Sequence, residues 1–277
     1  MKQRLLFFRR PDNPKAKIWE KKLRAHISKK HPNTMIVESN PTVVVVLGGD
    51  GTILEAARTW RKTSPLILGL NLGHVGLLAG ARKPSEFVGA IDHLLTKQYT
   101  EATRMMIRAV VYRKDRIIHE TDCLNEVTAQ GLMSPTKMTI SVDGHPLQYI
   151  HGSGVIVSTP TGSTAYNLSA HGPIVTPDIN CMIVTELLDH HLPTPSIIIK
   201  RTKTIQIDIN EVREREILVL KKTGEAVDAV LTADDMDLFP LREGDRILVS
   251  MSKHAVRFAE LEESYFIKSL QAKFAFK

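Results

Sequence analysis

The chain has 277 residues, 43% of them hydrophobic and 24% charged, and carries a formal net charge of +7. That composition is globular and the length suffices for two domains, so a disordered chain is excluded; no apolar run nears the ~20 residues of a membrane-spanning helix. The positive excess favours anionic partners, yet lysine and arginine are scattered, without the basic block or aromatic interleaving of a nucleic-acid binder, so neither nucleic acid nor membrane is an expected partner.

Residues 4–8 predict a first strand. The opening MKQRLLFFRR has four apolar residues between basic ones, too few for a signal-peptide core, and the expected location is the cytoplasm. Residues 15–30 set Ile18, Leu23 and Ile27 on a charged background and predict an amphipathic helix. Residues 42–47 form a β-branched run ending at Gly48-Gly49, as in a strand buried on both faces of a parallel sheet. A helix over 53–61, a strand over 66–71 and a helix over 85–95 follow, the alternation of an open α/β sheet.

After about residue 100 the texture changes. Strands are predicted at 107–112, 137–142, 154–158, 197–199, 205–209, 217–221 and 246–250, parted by turn signals such as Asp143-Gly144 and Glu243-Gly244-Asp245. The expected fold is therefore an α/β N-terminal domain with an open, mostly parallel sheet over residues 1–100, plus a β-rich domain over 101–258. Helical character over 260–274 predicts a C-terminal helix packing back on the first domain, with residues 259–277 returning to it. Cys123 and Cys181 lack any metal-binding spacing and are expected to be reduced, buried thiols.

Chemistry concentrates in Gly48-Gly49-Asp50-Gly51-Thr52, between a predicted strand and helix. Three glycines in four positions let the backbone turn sharply and bring N–H groups to an anion, aided by the helix N-terminus. A carboxylate among them opposes phosphate unless it accepts the proton of an attacking hydroxyl or holds Mg²⁺. The plainer alternative is a strand-to-helix turn with Asp50 as N-cap. A second glycine loop, Asn71-Leu72-Gly73-His74-Val75-Gly76-Leu77-Leu78, leaves the next strand at the end where open α/β sheets bind ligands. His190-His191 invite a metal site, but adjacent side chains on a strand face opposite ways, and no dedicated metal site is expected.

Four motifs in order, GGDGT at 48–52, NLGHVGLL at 71–78, LNEV at 124–127 and STPTGSTAYNLSAHGPIV at 158–175, give the chain a resemblance to the NAD kinase family. GGDGT is shared with lipid kinases, whereas the GSTAY block is particular to NAD kinases. The resemblance implies phosphoryl transfer from ATP or polyphosphate to the 2′-hydroxyl of the NAD adenosine ribose, with Mg²⁺ or another divalent cation arriving with ATP. It implies Asp50 as the base and Gly49, Gly51 and Thr52 along the phosphate path. Asn125, Glu126, Thr161, Ser163, Thr164, Ala165, Tyr166 and Ser169 would bind NAD. It also implies a homodimer or homotetramer.

The sequence departs from the family pattern in four places. Ser153 replaces the aspartate of an Asp-Gly pair, His171 replaces a glycine, and a late Asp-Gly-Gln turn reads Asp234-Asp235-Met236; His191-Leu192 and Thr194-Pro195 lack the family's serine and arginine. A lipid kinase of the same superfamily and a non-catalytic NAD- or NADP-binding protein stand as the alternatives.

Overall fold

The structure, a computed structural model, describes residues 3–73, 76–190, 194–213, 215, 218–220, 224 and 226–274. His74 and Val75 of the second glycine loop, His191-Leu192, and Ile217 and Lys221 at the ends of one expected strand lie outside the described residues. The chain divides into two compact units, Met1–Arg104 with His254–Lys277, and Met105–Lys253.

Unit 1 begins β1 (Arg4–Phe8), α1 (Pro14–Lys30), β2 (Met35–Ile36), β3 (Val43–Gly48), α2 (Asp50–Trp60), β4 (Leu66–Asn71) and α3 (Phe87–Leu95). Its strands pair in the order β2-β1-β3-β4, all parallel. Every residue of β3 and β4 is buried, which is why both read as unbroken apolar runs. Alternate residues Val43, Val45, Leu47, Leu66, Leu68 and Leu70 share one core with α1 and α3. Gly69, between them, faces the other way against Ile53 of α2, where an added Cβ would fall 2.5 Å from its side chain.

Asn13 caps α1, accepting the Ala16 N–H at 3.1 Å, and Pro14 occupies its first turn. The buried stripe of α1 is Ala16, Leu23 and Ile27. Ile18, expected on it, is 56% exposed, because it sits about 200° round the helix from Ala16. α2 starts at Asp50, three residues earlier than expected, and α3 at Phe87 after a single 3₁₀ turn at Pro84–Glu86.

β5 (Thr100–Arg113) carries the chain out of unit 1 and β16 (Arg246–Glu260) carries it back. Between them run β6 (Arg116–Cys123), β7 (Glu126–Gly131), β8 (Thr136–Val142), β9 (His145–Gly152), β10 (Gly154–Ser158), the short α4 (Tyr166–Ser169) and β11 (Cys181–Leu187). They are followed by β12 (Ile197–Lys200), β13 (Ile205–Val212), β14 (Ala229–Ala233) and β15 (Asp237–Leu241). One antiparallel sheet has the order β12-β11-β10-β7-β14-β15. In the other, β13 pairs with both β16 and β8, and β8 with β9. Alternating residues of the two sheets fill one core, Val127, Val155, Val157 and Leu231 meeting Met138, Ile140, Ile207 and Ile247. The β8–β9 hairpin turns at Asp143-Gly144, φ 49° and 81°, as the sequence predicts.

At the chain's end, Arg257 and Phe258 of β16 pair in parallel with Leu66 and Ile67 of β4. α5 (Tyr265–Phe274) follows and packs on unit 1, as expected. The buried Tyr265 hydroxyl donates to the Ala79 carbonyl, and the Arg82 guanidinium lies 4.6 Å from the centre of its ring. Arg82 also donates to Ser269 Oγ at 3.0 Å.

One departure from the family pattern leaves a mark on the backbone. His171 ends the α4 turn with φ 62°, a left-handed conformation that disfavours a side chain. We predict that His171→Gly stabilises the protein by roughly 0.5–1 kcal/mol, relief of the strain exceeding the added chain entropy; thermal melts should show a Tm higher by about 1–3 °C.

Candidate functional site

In unit 1, β3 passes into α2 through the GGDGT turn. Gly48 has no alternative, since an added Cβ would sit 2.5 Å from Thr52 Oγ1. Gly49 is the N-cap residue and Asp50 the first residue of α2, so Asp50 is not the N-cap. Its carboxylate turns instead to the second glycine loop. Oδ2 accepts the Leu77 N–H at 2.9 Å, and Oδ1 accepts that of Leu78 at 3.4 Å. A Cβ on Gly76 would lie 2.1 Å from Asp50 Oδ1, so only glycine permits the approach.

The same loop is braced from its start. The Gly73 N–H donates to Asn71 Oδ1 at 3.0 Å and the Leu72 N–H to the Gly48 carbonyl at 3.3 Å. Thr52 is buried. Space around Gly49 is open, with nothing within 4 Å of an added Cβ, and at Gly51 the nearest atom is Arg10 Nη2 at 3.8 Å. Backbone there can be approached closely by a ligand. Beside the second loop a cavity of about 350 Å³ is lined by Lys15, Trp19, Asn71, Gly73 and Arg82, among others.

In unit 2, Leu124 and Asn125 form the turn from β6 to β7. One side chain fixes it: the buried Asp234 carboxylate accepts the N–H groups of Leu124 at 2.8 Å, Asn125 at 2.7 Å and Glu126 at 3.3 Å. Asp234 and Asp235 both adopt left-handed φ, 51° and 54°. Aspartate tolerates that conformation better than most residues, which lets Asp235 stand where the family has glycine.

The STPTGSTAY loop is built directly on this turn. Thr159 donates its N–H to the Asn125 carbonyl at 2.8 Å and its hydroxyl to the Leu124 carbonyl at 2.5 Å. Gly162 lies so near that an added Cβ would come within 2.2 Å of the Asn125 carbonyl oxygen. Ser163 is fully buried; its hydroxyl donates to the Pro160 carbonyl at 2.7 Å and accepts the Val175 N–H at 3.0 Å. Thr164 donates to the Thr161 carbonyl at 3.3 Å. Thr161 is buried, Ala165 half-buried, Ser169 exposed, and Tyr166 leaves 40% of its surface to solvent.

The structure thus brings Asn125 and Glu126 together with the 158–165 segment. It spends the hydroxyls of Ser163 and Thr164 inside the loop and leaves Tyr166 and Ser169 open. Two residues that sequence reasoning passed over hold this arrangement: Asp234 and Asn167. The buried Asn167 accepts the Thr185 hydroxyl at 2.7 Å and donates to the Pro173 carbonyl at 3.2 Å. Its signal was Gly172, whose absent Cβ makes room for the Asn167 side chain, 2.3 Å away. Gly154 is also obligatory, with φ 147° and an added Cβ 2.1 Å from the Ala129 carbonyl oxygen.

Glu126 is not the solvated strand end that an isolated Asn-Glu suggests. It is 6% exposed, and its Oε2 has no hydrogen-bond partner among the described residues. Burial pushes its carboxyl up to about 8, and the charges of Asp234 and Asp235 act in the same direction. Near neutral pH it is thus a largely protonated acid, able to donate as well as accept.

An open parallel α/β unit with two joined glycine loops, followed by a two-sheet β unit, is the fold of known NAD(H) kinase structures. A yeast NADH kinase complexed with NADH superposes with a TM-score of 0.86 at 20% identity, covering 100% of this chain and 88% of that one. An Archaeoglobus fulgidus NAD kinase in complex with ATP gives 0.73 at 21% identity, with 98% and 97% covered. Family models for the ATP-NAD kinase N-terminal domain and the ATP-NAD kinase C-terminal domain match residues 8–99 and 124–261. The NAD kinase of Lachnoclostridium phytofermentans is 38% identical over 237 residues, 84% of this chain and 80% of that one. That of Natranaerobius thermophilus is 35% identical over 233 residues, 83% and 77% of the two chains. The chain belongs to the NAD kinase family.

The buried acid yields a prediction with a definite sign. A carboxyl raised in the folded state keeps its proton while the unfolded chain has lost it, so its favourable contribution is complete below the ordinary glutamate value of 4.5 and gone above about 8. Glu126→Gln, which never ionises, should gain stability relative to the parent as pH rises through that window, with a slope approaching about 1.4 kcal/mol per pH unit. Urea denaturation at pH 5, 6.5 and 8 measures it; parallel curves for the two proteins would contradict the assignment.

Proposed function

We propose that the protein is an NAD kinase, transferring a phosphoryl group from ATP, or from polyphosphate, to the 2′-hydroxyl of the NAD adenosine ribose to form NADP. The observation that carries this reading is the Asp50 carboxylate, set among three glycines with open backbone beside it. The 2′-oxygen bonds to the terminal phosphorus as the bond from that phosphorus to ADP breaks, and the hydroxyl proton passes to Asp50. Phosphoryl transfer asks chiefly for positioning and charge stabilisation, which glycine-loop N–H groups supply. Gly49, Gly51 and Thr52 line the phosphate path. Mg²⁺ enters as part of the MgATP substrate, since the GGDGT loop contributes a single carboxylate.

Asn125, Glu126, Thr161, Thr164, Ala165 and Tyr166 bind the dinucleotide, with Ser169 at the margin. Ser163 acts through the loop it braces. A protonated Glu126 with an unpaired oxygen suits a sugar hydroxyl, and the exposed Tyr166 ring suits the adenine. The two solved relatives hold NADH and ATP, which supports one ligand of each kind. The match to both ATP-NAD kinase models supports this reading over a lipid kinase. No helix among the described residues is long and apolar enough to cross a membrane. A cytoplasmic homodimer or homotetramer completes the proposal, and light scattering on the purified protein checks the assembly.

The direct test is a coupled NADP assay on pure protein with ATP, Mg²⁺ and NAD. Asp50→Asn should lower turnover by about 10²–10⁴-fold, the usual weight of a general base, and leave NAD affinity within about twofold. A melting curve recorded alongside monitors the Leu77 and Leu78 contacts that the substitution weakens; near-normal turnover would remove Asp50 as the base. Tyr166→Ala should weaken dinucleotide binding by about 1–2 kcal/mol, the scale of base–aromatic stacking, with kcat little altered. Calorimetric titration with NAD reads this directly, and an unchanged Kd would exclude the ring from the pocket.

A further inference from the structure

A second cluster of reactive side chains lies in unit 1 and takes no part in the chemistry above. His26 is in the last two turns of α1, and His31 is its C-cap residue. Both aim Nε2 at the same atom, Oδ1 of Asp92 on α3, each at 2.7 Å. The three ligand atoms all lie within 4.8 Å of one another. Their side chains are 24%, 17% and 19% exposed, screened from bulk water yet reachable. An open cleft of about 330 Å³, lined by His31, Asn33, Thr34 and Leu95 among others, borders the cluster.

We propose that His26, His31 and Asp92 form a binding site for a divalent transition-metal ion of the zinc class. Two imidazole nitrogens and one carboxylate oxygen make a complete three-ligand set for such an ion, leaving one position for water. Magnesium and calcium, which prefer all-oxygen shells, fit this donor set poorly. Metal–ligand bonds of about 2.0–2.2 Å put ligand atoms roughly 3.3 Å apart in a tetrahedron. The 2.7 Å contacts need to open by about 0.6–0.9 Å, a displacement within reach of side-chain rotation. For Nε2 to offer its lone pair to the ion, a neutral ring carries its proton on Nδ1 instead and a charged ring releases one proton to solvent.

The site joins the end of α1 to α3, two helices that pack together beside the sheet of unit 1. A bound ion therefore cross-links them. Lys30 is its competitor: its ammonium donates to Oδ2 of the same aspartate at 2.7 Å and is 58% exposed, free to swing into water. Removing that ammonium frees the carboxylate for the ion. A purely hydrogen-bonded cluster has no such dependence on Lys30.

The test uses the full chain without an affinity tag, stripped with EDTA and titrated with Zn²⁺ by calorimetry and with Co²⁺ by visible absorption. We expect one high-affinity equivalent per chain, the intense visible bands of four-coordinate Co²⁺, and a rise in Tm on Zn²⁺ addition that EDTA reverses. His26→Gln and His31→Gln should each weaken this equivalent by more than the roughly ten- to hundredfold that losing an outer partner costs. Lys30→Ala, an exposed change that spares the fold, should bind as tightly as the parent or tighter. Failure of both the parent and Lys30→Ala to take up Zn²⁺ would overturn the proposal. So would uptake unchanged in His31→Gln, or weaker binding in Lys30→Ala.

Discussion

The turn that carries Asn125 and Glu126 depends on one buried carboxylate. Asp234 gathers three successive backbone N–H groups, those of Leu124, Asn125 and Glu126, and so fixes the turn on which everything near it is assembled. The Asn125 carbonyl then receives Thr159, and the Gly162 backbone packs against it. Charge-assisted bonds of this kind are about twice as strong as neutral ones. An apolar residue at position 234 would leave three N–H groups, two of them buried, without their acceptor. Burial is the main reason that the Glu126 carboxyl is raised, and the negative charge of Asp234 adds to it, so the anchor of the turn and its neighbouring acid are parts of one electrostatic arrangement.

Unit 1 repeats the device in another form. There Asp50, the base of the proposed reaction, is also the link between two glycine loops. Its two N–H partners orient the carboxylate while each oxygen retains a lone pair for a hydroxyl proton. Gly76 makes the link possible by lacking a side chain, and Gly48 makes the turn possible in the same way. The glycines of this protein are thus of two kinds: some leave open space beside the backbone, and others give one protein segment access to another. Gly49 belongs to the first, Gly76 and Gly162 to the second.

Much of the fold is legible in the sequence because its strands are bounded by residues that stop them. β1, β4 and β10 have the ends expected from composition: the apolar run of β1 lies between basic residues, that of β4 between Pro65 and Asn71, and β10 starts at Gly154. β7, with the sequence Glu-Val-Thr-Ala-Gln-Gly, is not legible as a strand, because only alternate small apolar residues face its core. Ile18 misled because apolar character alone does not place a residue on a helix's buried face. At the candidate site, the motifs single out residues but not the surroundings of each one. That Ser163 is consumed internally, that Glu126 is protonated, and that Asp234 organises a turn over a hundred positions earlier are all consequences of burial and long-range pairing. Local pattern carries no record of either.

The return of β16 to unit 1 has a consequence for biosynthesis. Ala81 bridges Leu70 on the second edge of β4, but Leu66 and Ile67 gain their partner there only when Arg257 and Phe258 arrive, and Arg257 donates to the Ser64 carbonyl across 193 positions. At ordinary ribosomal speeds that interval corresponds to on the order of 10–40 s. Through it the first residues of β4, both apolar, have no partner on that edge, and an unpaired edge is the kind of template on which chains associate. The unit begun first is therefore the one completed last, and the Leu66-Ile67 end of β4 is the part of its sheet that waits longest for a neighbour.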